Sequence, residues 1–448
     1  MQTEPSIIIL LGITGSLSRR KLLPALYQLH QDGLLDDKTV ILGSSRHDVD
    51  INEVLASAHI EGAVHDSFAG RLRMTKFEPD QPASHEILKQ TLAAIEAEQG
   101  TPMQQIFYLS IPPETLSSVI ATMGQTGLAT PQTKIMIEKP YGHDLASAQT
   151  LTKHLEEVFN EDQIYRVDHY AAKEMVQNIT VFRQQNHLFN QLFSHQYVAS
   201  IYVRAREDID IEGRVEFYEQ AGALRDLIQS HLLQVLADAA MLLPDQPDAS
   251  CTEFHANRQA FLDSLVIPSP GQAVRGQYDG YRQEIGRPDS TIETFAALEL
   301  TSTDPRWAGT KFVLETGKAL THKVSDVTVV FKATALTDKA TQLVFNIDPS
   351  HHITMTAHVK EPGFHGQAKD QLLRLDIDEA FGQQRLPEAY ERIFFDALRS
   401  DQTLFISAAE ALRCWEIIQP LIDAWHNNND GLVSYQKGSA GPSLEQLS

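Results

Sequence analysis

Continuous apolar runs alternate with stretches of helical periodicity through the first third of the chain. Runs without polar–apolar alternation predict strands buried on both faces, as in a parallel sheet. The four predicted strands are Ser6–Ile13, Thr39–Gly43, Gln105–Ile111 and Lys134–Ile137. The predicted helices between them are Leu17–Gln31, Ile51–His59, Glu86–Glu98 and Glu114–Met123. This alternation predicts a doubly wound α/β domain over residues 1–165.

A different pattern follows from residue 166 onward. An alternating strand, Val198–Arg206, and a long helix, Ala221–Leu243, precede several strand-like runs with short connections. Those runs are Ser290–Thr301, Lys311–Glu315, Asp326–Lys332, Gln342–Ile347, Ile353–Val359 and Gln371–Ile377. Because the later runs have no crossover helices between them, their sheet is predicted to be mostly antiparallel. With the closing helices Glu388–Leu398 and Ala408–His426, residues 166–448 are predicted to form a larger β+α domain.

The charge balance and the cysteine content narrow the classes of partner and compartment. The 448 residues include 37 Lys and Arg against 59 Asp and Glu, a formal net charge of −22. Long-range repulsion from such a surface argues against nucleic acid or an anionic membrane as partner. The two cysteines, Cys251 and Cys414, form no disulfide or metal motif, so a reducing cytoplasm is expected. The apolar run Ile7–Leu11 is too short for a signal peptide or a membrane span.

A glycine-containing turn follows the first predicted strand. The sequence Gly12-Ile13-Thr14-Gly15 is GxxG rather than the full GxGxxG, but it lies between an apolar strand and a helix that Ser16 could cap. Glycines there let the backbone approach a pyrophosphate, whose charge favours the helix N-terminus. A simple tight turn remains the alternative.

The end of the second predicted strand bears on which dinucleotide is bound. It reads Gly43-Ser44-Ser45-Arg46, where an NAD enzyme would usually place an acidic residue on the ribose hydroxyls. An arginine with two serines fits a 2′-phosphate instead and favours NADP. The alternative is a solvated arginine in a loop.

A charged corner follows a further predicted strand, Gln163–Val167. Asp168 lies at the strand exit, and the residues after it are predicted to start a helix. On that helix His169, Tyr170 and Lys173 would share one face, which suits a phosphate group. The alternative is an ordinary strand-to-helix corner with surface charges.

Three further lysines are candidates for a ligand site. Lys139 leaves a strand at the carboxyl edge of the predicted sheet, where open α/β folds bind ligands, although it could simply pair with Glu138. The following Pro140 could be cis. Lys318 and Lys323 follow another predicted strand, in a segment that is equally compatible with a turn.

His231 lies in an apolar stripe of the long predicted helix, where a histidine is more often part of the core than a base. It becomes a general-base candidate if a carboxylate such as Asp168 reaches its ring and fixes the tautomer. Asp226 lies five residues before His231, and on a regular helix their side chains are poorly aligned. A site that contains both would need an irregular helix.

Together these motifs resemble the glucose-6-phosphate dehydrogenase family through most of the chain. The most specific match is Asp168-His169-Tyr170-x-x-Lys173-Glu174-Met175-Val176-Gln177-Asn178. Others, in the family's order, are Gly12-x-Thr14-Gly15, Glu138-Lys139-Pro140-x-Gly142, Arg225-Asp226-x-x-Gln229-x-His231 and Gly317-Lys318-Ala319-Leu320.

The resemblance implies a Rossmann-like NADP domain joined to a β+α domain whose sheet forms a homodimer or a dimer of dimers. It implies that His231 takes the proton of the C1 hydroxyl of glucose 6-phosphate while hydride leaves C1 for the nicotinamide. Asp168 would orient and stabilise the charged imidazole. No metal is required.

The resemblance also implies binding residues. Those holding the 6-phosphate would be His169, Tyr170 and Lys173. Those lining the sugar would be Lys139, Glu207, Asp226, Lys318 and Lys323, with Lys21 near the mouth. Those binding NADP would be Gly12, Thr14, Gly15, Ser16, Leu17, Arg46 and Lys139.

The chain departs from the family at three places. Ser16 stands where the family usually has Asp, Ala171-Ala172 where it has Leu-Gly, and Asp348 where it tends to have Gln. The added charge of Asp348 would suit a paralogue that oxidises another hexose 6-phosphate, such as an amino sugar phosphate. A catalytically silent homologue is a third hypothesis, against which the presence of both Asp168 and His231 argues.

Overall fold

The computed structural model describes residues 3–60, 65–79, 81–244, 246, 249–266, 268–334, 339–382, 384–426 and 429–444. The chain forms two compact units. The first unit comprises Met1–Gly142, Ala146–Ala172 and Pro387–Ala408, and the second comprises His143–Leu145, Lys173–Leu386 and Ala409–Ser448. The first unit therefore also contains residues 166–172 and 387–408, which lie outside the predicted segment 1–165.

The described residues form two sheets. The strands are β1 Ser6–Leu11, β2 Val40–Ser45, β3 Leu72–Lys76, β4 Gln104–Leu109, β5 Thr133–Glu138, β6 Ile164–Val167, β7 Val198–Arg206, β8 Ala273–Tyr278, β9 Phe295–Leu300, β10 Lys311–Gly317, β11 Val324–Phe331, β12 Gln342–Asp348, β13 His352–Lys360, β14 Ala368–Asp376 and β15 Leu432–Tyr435. The strands β3, β8 and β15 were not predicted; β3 and β15 are short and partly polar, without a clear apolar run.

The α-helices are α1 Leu23–Gln31, α2 Ile51–Ser57, α3 His65–Ala69, α4 Pro82–Gln99, α5 Pro113–Thr126, α6 Leu145–Glu156, α7 Glu174–Gln185, α8 His187–Leu192, α9 Val215–Ala223, α10 Leu233–Ala240, α11 Cys251–Ser264, α12 Tyr281–Ile285, α13 Ile377–Ala380, α14 Ala389–Leu398 and α15 Ala408–Trp425. The π-helices π1 Ser18–Leu22 and π2 Leu224–Leu232 run directly into α1 and α10. Among the described residues, no helix has both the length and the apolar character to cross a membrane.

The sheet of the first unit is parallel, with strand order β3-β2-β1-β4-β5-β6. The order changes direction between β1 and β4, which is the topological switch point where doubly wound folds bind ligands. All six residues of β1 are buried, as the continuous apolar run predicts for an inner strand. The predicted doubly wound fold is confirmed.

Helix α14 packs in the first unit although it lies more than two hundred residues beyond the last strand of that sheet. Its residues Ile393, Phe394 and Leu398 join the core, and the rings of Phe394 and Tyr108 lie 5.5 Å apart. At its end, the Nζ of Lys134 donates to the carbonyl oxygen of Ala397 at 2.8 Å.

The sheet of the second unit has strand order β14-β13-β12-β11-β7-β10-β9-β8-β15. The pairs β7–β10 and β8–β15 are parallel, and the other pairings of the described strands are antiparallel. The prediction of a mostly antiparallel sheet is therefore confirmed.

The long helix predicted over residues 221–243 is not one regular helix. It consists of the end of α9, the nine residues of π2, and α10. Gly222 interrupts α9 with φ 63° and ψ 177°. At the other end, the Arg183 guanidinium donates to the carbonyl oxygens of Asp238, Ala239 and Met241, and the Trp307 indole donates to that of Ala240.

Candidate active site

The glycine turn lies at the carboxyl end of β1, beside the switch point of the sheet. Gly12 has φ 85°, and a Cβ there would lie 2.7 Å from the carbonyl oxygen of Ser110. The Gly15 N–H donates to the Gly12 carbonyl at 2.9 Å, and the Ser18 hydroxyl donates to the same oxygen at 3.0 Å. Only glycine fits at residue 12, so the backbone is left open to a pyrophosphate, as a dinucleotide requires.

The residues that follow form the start of the first helix. Helical structure begins at Ser16 and Leu17, and both Thr14 and Ser16 are exposed. A helix N-terminus at the switch point favours an anion. Lys21 lies one turn further, in π1, with its Nζ 3.3 Å from Glu388 in a solvent-exposed pair.

Arg46 is the first residue after β2. Strand β2 is parallel to β1, with Ser44 opposite Leu11, so Arg46 and the glycine turn lie at the same edge of the sheet. The Gly12 N–H donates to the Ser44 hydroxyl at 3.4 Å, which ties the two strand ends together. The Arg46 side chain is exposed. This arrangement fits the adenosine end of a dinucleotide.

Lys139 follows β5 at the same carboxyl edge, and the Lys139–Pro140 peptide bond is cis. The preceding Glu138 accepts hydrogen bonds from the hydroxyl groups of Tyr108 and Tyr390. Burial raises the pKa of the Glu138 carboxyl, an effect that these hydroxyls and Lys139 oppose. The two tyrosines were missed in the sequence because they lie on distant elements.

Asp168 follows β6 and is 2% exposed. Its Oδ1 accepts the N–H groups of Tyr170 at 2.8 Å and Ala171 at 3.4 Å. An aspartate that binds the backbone two residues ahead favours a turn over a helix. The predicted helix through His169 and Tyr170 is therefore wrong, because α7 begins only at Glu174.

Within the first unit, the ring of His169 lies 5.2 Å from that of Tyr170 and stacks on that of Tyr390 at 6.2 Å. Lys173 is the N-cap residue of α7, with extended backbone angles, and belongs to the second unit. The helical spacing thus does not place His169, Tyr170 and Lys173 on one helix face.

Glu207 and Lys318 pair in the second unit. They follow the parallel strands β7 and β10, and the Lys318 ammonium donates to the Glu207 carboxylate. Lys318 is 3% exposed, and its Nζ lies 5.6 Å from the centroid of the Tyr218 ring. Burial and then the charge of Asp226 raise the pKa of Tyr218. Tyr218, which no local sequence pattern signals, therefore lies near both Lys318 and Asp226.

His231 and Asp226 both lie on π2. Hydrogen bonds of a π-helix run between residues five apart, so side chains five apart come onto one side. The irregular helix that a shared site requires is thus present. His231 is 1% exposed, and Asp226 is half-buried.

Lys323 pairs with Asp348. Lys323 precedes β11 and Asp348 ends β12, and their charged atoms lie 2.9 Å apart. The side chains are 50% and 30% exposed respectively. Asp348, which stands where the family tends to have Gln, therefore forms an ion pair with Lys323, one of the predicted sugar-site lysines.

A doubly wound sheet with an open glycine turn at its switch point is typical of dinucleotide-dependent dehydrogenases. The second unit adds a buried histidine and two lysines that are each paired with a carboxylate. The family model "Glucose-6-phosphate dehydrogenase, NAD binding domain" matches residues 9–178, and "Glucose-6-phosphate dehydrogenase, C-terminal domain" matches residues 180–447. The chain therefore belongs to the glucose-6-phosphate dehydrogenase family of oxidoreductases, which use a nicotinamide cofactor.

Individual relatives agree with this placement. A glucose-6-phosphate 1-dehydrogenase 2 of Mycobacterium bovis is 34% identical over 99% of this chain and 93% of its own length. A glucose-6-phosphate 1-dehydrogenase of Bacillus subtilis is 32% identical over 98% of this chain and 96% of its own. A glucose-6-phosphate dehydrogenase solved in complex with glucose 6-phosphate superposes with a TM-score of 0.92 at 28% identity, covering 100% of this chain and 98% of the other.

Proposed function

We propose that this protein oxidises glucose 6-phosphate at C1 to 6-phosphogluconolactone with NADP as cofactor, the entry step of the oxidative pentose phosphate pathway. The observation that carries the proposal is that both domains of one dehydrogenase family are matched, from residue 9 to residue 447. The relatives named above carry this activity in their names, over nearly their full lengths.

His231 is proposed to be the general base. An alcohol loses hydride from carbon more readily when a base takes its hydroxyl proton in the same step. Asp168 is proposed to orient the imidazole and to stabilise its charged form. The turn at Asp168 supports a fixed carboxylate, because two backbone N–H groups hold Oδ1.

The sugar phosphate is proposed to bind through a set of charged and polar side chains. His169, Tyr170 and Lys173 would hold the phosphate, since a phosphate prefers several donors and a cation. The proposed sugar-site residues are Lys139, Glu207, Asp226, Lys318 and Lys323, with Lys21 near the mouth. The Glu207–Lys318 pair supports this proposal, because it places a carboxylate that can accept from sugar hydroxyl groups beside an ammonium that can donate to them.

The cofactor is proposed to be NADP. The residues proposed to bind it are Gly12, Thr14, Gly15, Ser16, Leu17, Arg46 and Lys139. Arg46 at the end of β2 is the feature that favours a 2′-phosphate, since a guanidinium pairs with phosphate oxygens in a fixed geometry. When bound, the nicotinamide supplies the hydride acceptor.

A second candidate substrate is an amino sugar phosphate, such as glucosamine 6-phosphate. The specific observation is the Asp348 carboxylate, which lies beside Lys323 where the family tends to have a neutral glutamine. A carboxylate would attract an ammonium substituent on the sugar. The Lys323–Asp348 pair would have to open for such contact.

A substrate panel tests the proposal. The purified protein is given glucose 6-phosphate, glucosamine 6-phosphate, galactose 6-phosphate or unphosphorylated glucose, each with NADP and with NAD. Formation of reduced cofactor is followed by absorbance. The highest kcat/KM is expected with glucose 6-phosphate and NADP. A higher value with glucosamine 6-phosphate would select the second candidate, and no turnover with any sugar would indicate a silent homologue.

The proposed assembly is a homodimer, or a dimer of dimers, through the sheet of the second unit. Strand β14 forms its edge and is exposed along most of its length. Leu372 and Leu373, on opposite faces of that strand, are 62% and 54% exposed. Exposed leucines on an edge strand favour association, and a second copy would cover them. Light scattering of wild type against Leu373→Arg tests this, with a shift to monomer expected; an unchanged mass would reject the β14 interface.

The proposed compartment is the cytoplasm, in keeping with the expectation from the cysteines. Cys251 and Cys414 are both free thiols in the structure. A chain with free thiols suits a reducing environment.

A further inference from the structure

The start of π2 is held by a buried glutamate from a distant part of the second unit. The Glu293 Oε1 accepts the N–H of Leu224 at 3.0 Å, and the Glu293 carbonyl oxygen accepts the N–H of Ala223 at 3.0 Å. Glu293 is 4% exposed. The carbonyl oxygen of the next residue, Thr294, accepts the N–H of Lys318 at 2.9 Å. One short segment therefore holds both the π-helix and the backbone of Lys318.

Gly222 makes this contact possible. Its backbone angles, φ 63° and ψ 177°, lie in a region that residues other than glycine rarely adopt. A Cβ at residue 222 would also lie 2.4 Å from the Glu293 Oε1. The helix thus changes direction at Gly222 so that the first N–H groups of π2 point at Glu293.

A π-helix of nine residues needs contacts that select it over an α-helix, because π-helical structure is rare and usually limited to a single turn. An α-helix leaves its first four N–H groups without intrahelical partners. A π-helix, whose hydrogen bonds join residues five apart, leaves five such groups without partners. Glu293 accepts the N–H groups of Ala223, the N-cap residue of π2, and of Leu224, its first residue. At the far end of α10, Arg183 and Trp307 bind the last carbonyl groups. The register of the continuous helix is therefore fixed at both ends.

The register decides which side chains share a face. In an α-helix, residues five apart differ by about 140° around the axis, so Asp226 and His231 would point apart. We propose that Glu293, acting with Gly222, selects the π register and so aligns Asp226 with His231, which makes Glu293 a positioning residue for the dehydrogenase reaction. This inference rests on the proposed roles of Asp226 and His231.

The first test compares three single variants by steady-state kinetics and thermal unfolding. Glu293→Ala removes the side-chain acceptor, and kcat/KM for the sugar phosphate is expected to fall about 100-fold, as for a small misplacement of reacting groups. Glu293→Gln keeps an oxygen that can accept the Leu224 N–H, so at least a tenth of the wild-type value should return. Burial also raises the pKa of the Glu293 carboxyl, so the amide removes a charge that the site already disfavours.

Ser250→Ala is the matched control. The Ser250 hydroxyl accepts the N–H of Glu253 at 3.3 Å at the start of α11, so this variant also removes one side-chain cap of a helix in the second unit. It is expected to lower the Tm without lowering kcat/KM. If Glu293→Ala lost no more activity than Ser250→Ala at a similar Tm, the positioning role would be wrong. The KM for the cofactor should stay within about twofold, since the glycine turn belongs to the first unit.

A double-mutant cycle tests the proposed route through Asp226. If Glu293 acts by aligning Asp226, then Asp226→Ala should cost much less in the Glu293→Ala background than in wild type. Additive losses would overturn the inference. Every variant is compared on the hexose phosphate that wild type turns over fastest. A substrate other than glucose 6-phosphate would then reject the proposed function while still deciding the role of Glu293.

Discussion

The two units build their functional residues in different ways. In the first unit, the glycine turn, Arg46, Lys139 and Asp168 all follow parallel strands directly, so the topology of one sheet brings them to one edge. In the second unit, the Glu207–Lys318 pair also follows parallel strands, but Asp226 and His231 lie on π2, whose start is held by the distant Glu293. A parallel sheet therefore places residues by topology alone, whereas the placement of Asp226 and His231 also depends on individual side-chain contacts.

These two ways of placing functional residues predict different tolerance to mutation. A residue at a strand end keeps its place as long as the strand forms, so its substitution should remove only its own interaction. A residue on π2 keeps its place only while the helix register is maintained. Substitutions that disturb π2 should therefore spread to neighbouring functional groups, and those at the strand ends of the first unit should stay local.

The largest effect is expected for His231→Asn. If His231 is the base, kcat should fall about 1000-fold, within the range typical of general-base catalysis. Rates are measured at saturating sugar phosphate and cofactor. Cofactor affinity, measured by fluorescence titration, should stay unchanged because the glycine turn lies in the other unit. Equal rates for wild type and variant would show that the base is another group.

The next effect is expected for Arg46→Ala. Loss of a charged hydrogen bond costs about 1.5–3 kcal/mol, so kcat/KM for NADP should fall about 10- to 100-fold while that for NAD changes little. Arg73→Ala on β3 is the control, since it removes the same charge from an exposed side chain of the same sheet. An equal loss with both cofactors would exclude the 2′-phosphate as the partner of Arg46.

The same contrast explains what the sequence could predict. The apolar runs were sufficient to predict the doubly wound sheet, and with it the edge at which Gly12, Arg46, Lys139 and Asp168 lie. The helix through His169 was predicted wrongly because the Asp168 side chain takes the backbone N–H groups that a helix would use. The register of π2 was unpredictable locally, since its cap, Glu293, lies 69 residues beyond Leu224. The pairing of Asp348 with Lys323 likewise depends on strand register.

A smaller effect is expected for Asp348→Gln. A pair that is 30–50% exposed contributes at most about 1 kcal/mol, so opening it should lower the KM for glucose 6-phosphate about two- to fivefold. The released Lys323 would then attract the phosphorylated sugar. Asp263→Asn on α11 removes the same charge from an exposed ion pair outside the proposed interface and should leave the KM unchanged. A raised KM in Asp348→Gln would mean that Asp348 itself contacts the sugar.

The smallest effect on catalysis is expected for Asp396→Asn in α14 of the first unit. Burial raises the pKa of Asp396 from 3.8 to about 6, against the opposing charge of Arg392. The folded state therefore holds its proton to higher pH than the unfolded chain, so this group contributes stability below about pH 4 that is lost as pH rises through about 6.

Asparagine does not titrate, so the variant lacks this pH-dependent contribution to the free energy of unfolding, which is at most about 3 kcal/mol. The Tm of the variant relative to wild type should therefore increase as pH rises from about 4 to about 6, measured by thermal unfolding across that range. Both kcat and KM should match wild type at neutral pH, because Asp396 pairs with Arg392 within α14 and belongs to none of the proposed catalytic or binding sets. A constant difference in Tm across that range would show that Asp396 ionises normally. A loss of kcat would show that substitutions in the first unit also spread to functional groups, which would break the contrast between the two units.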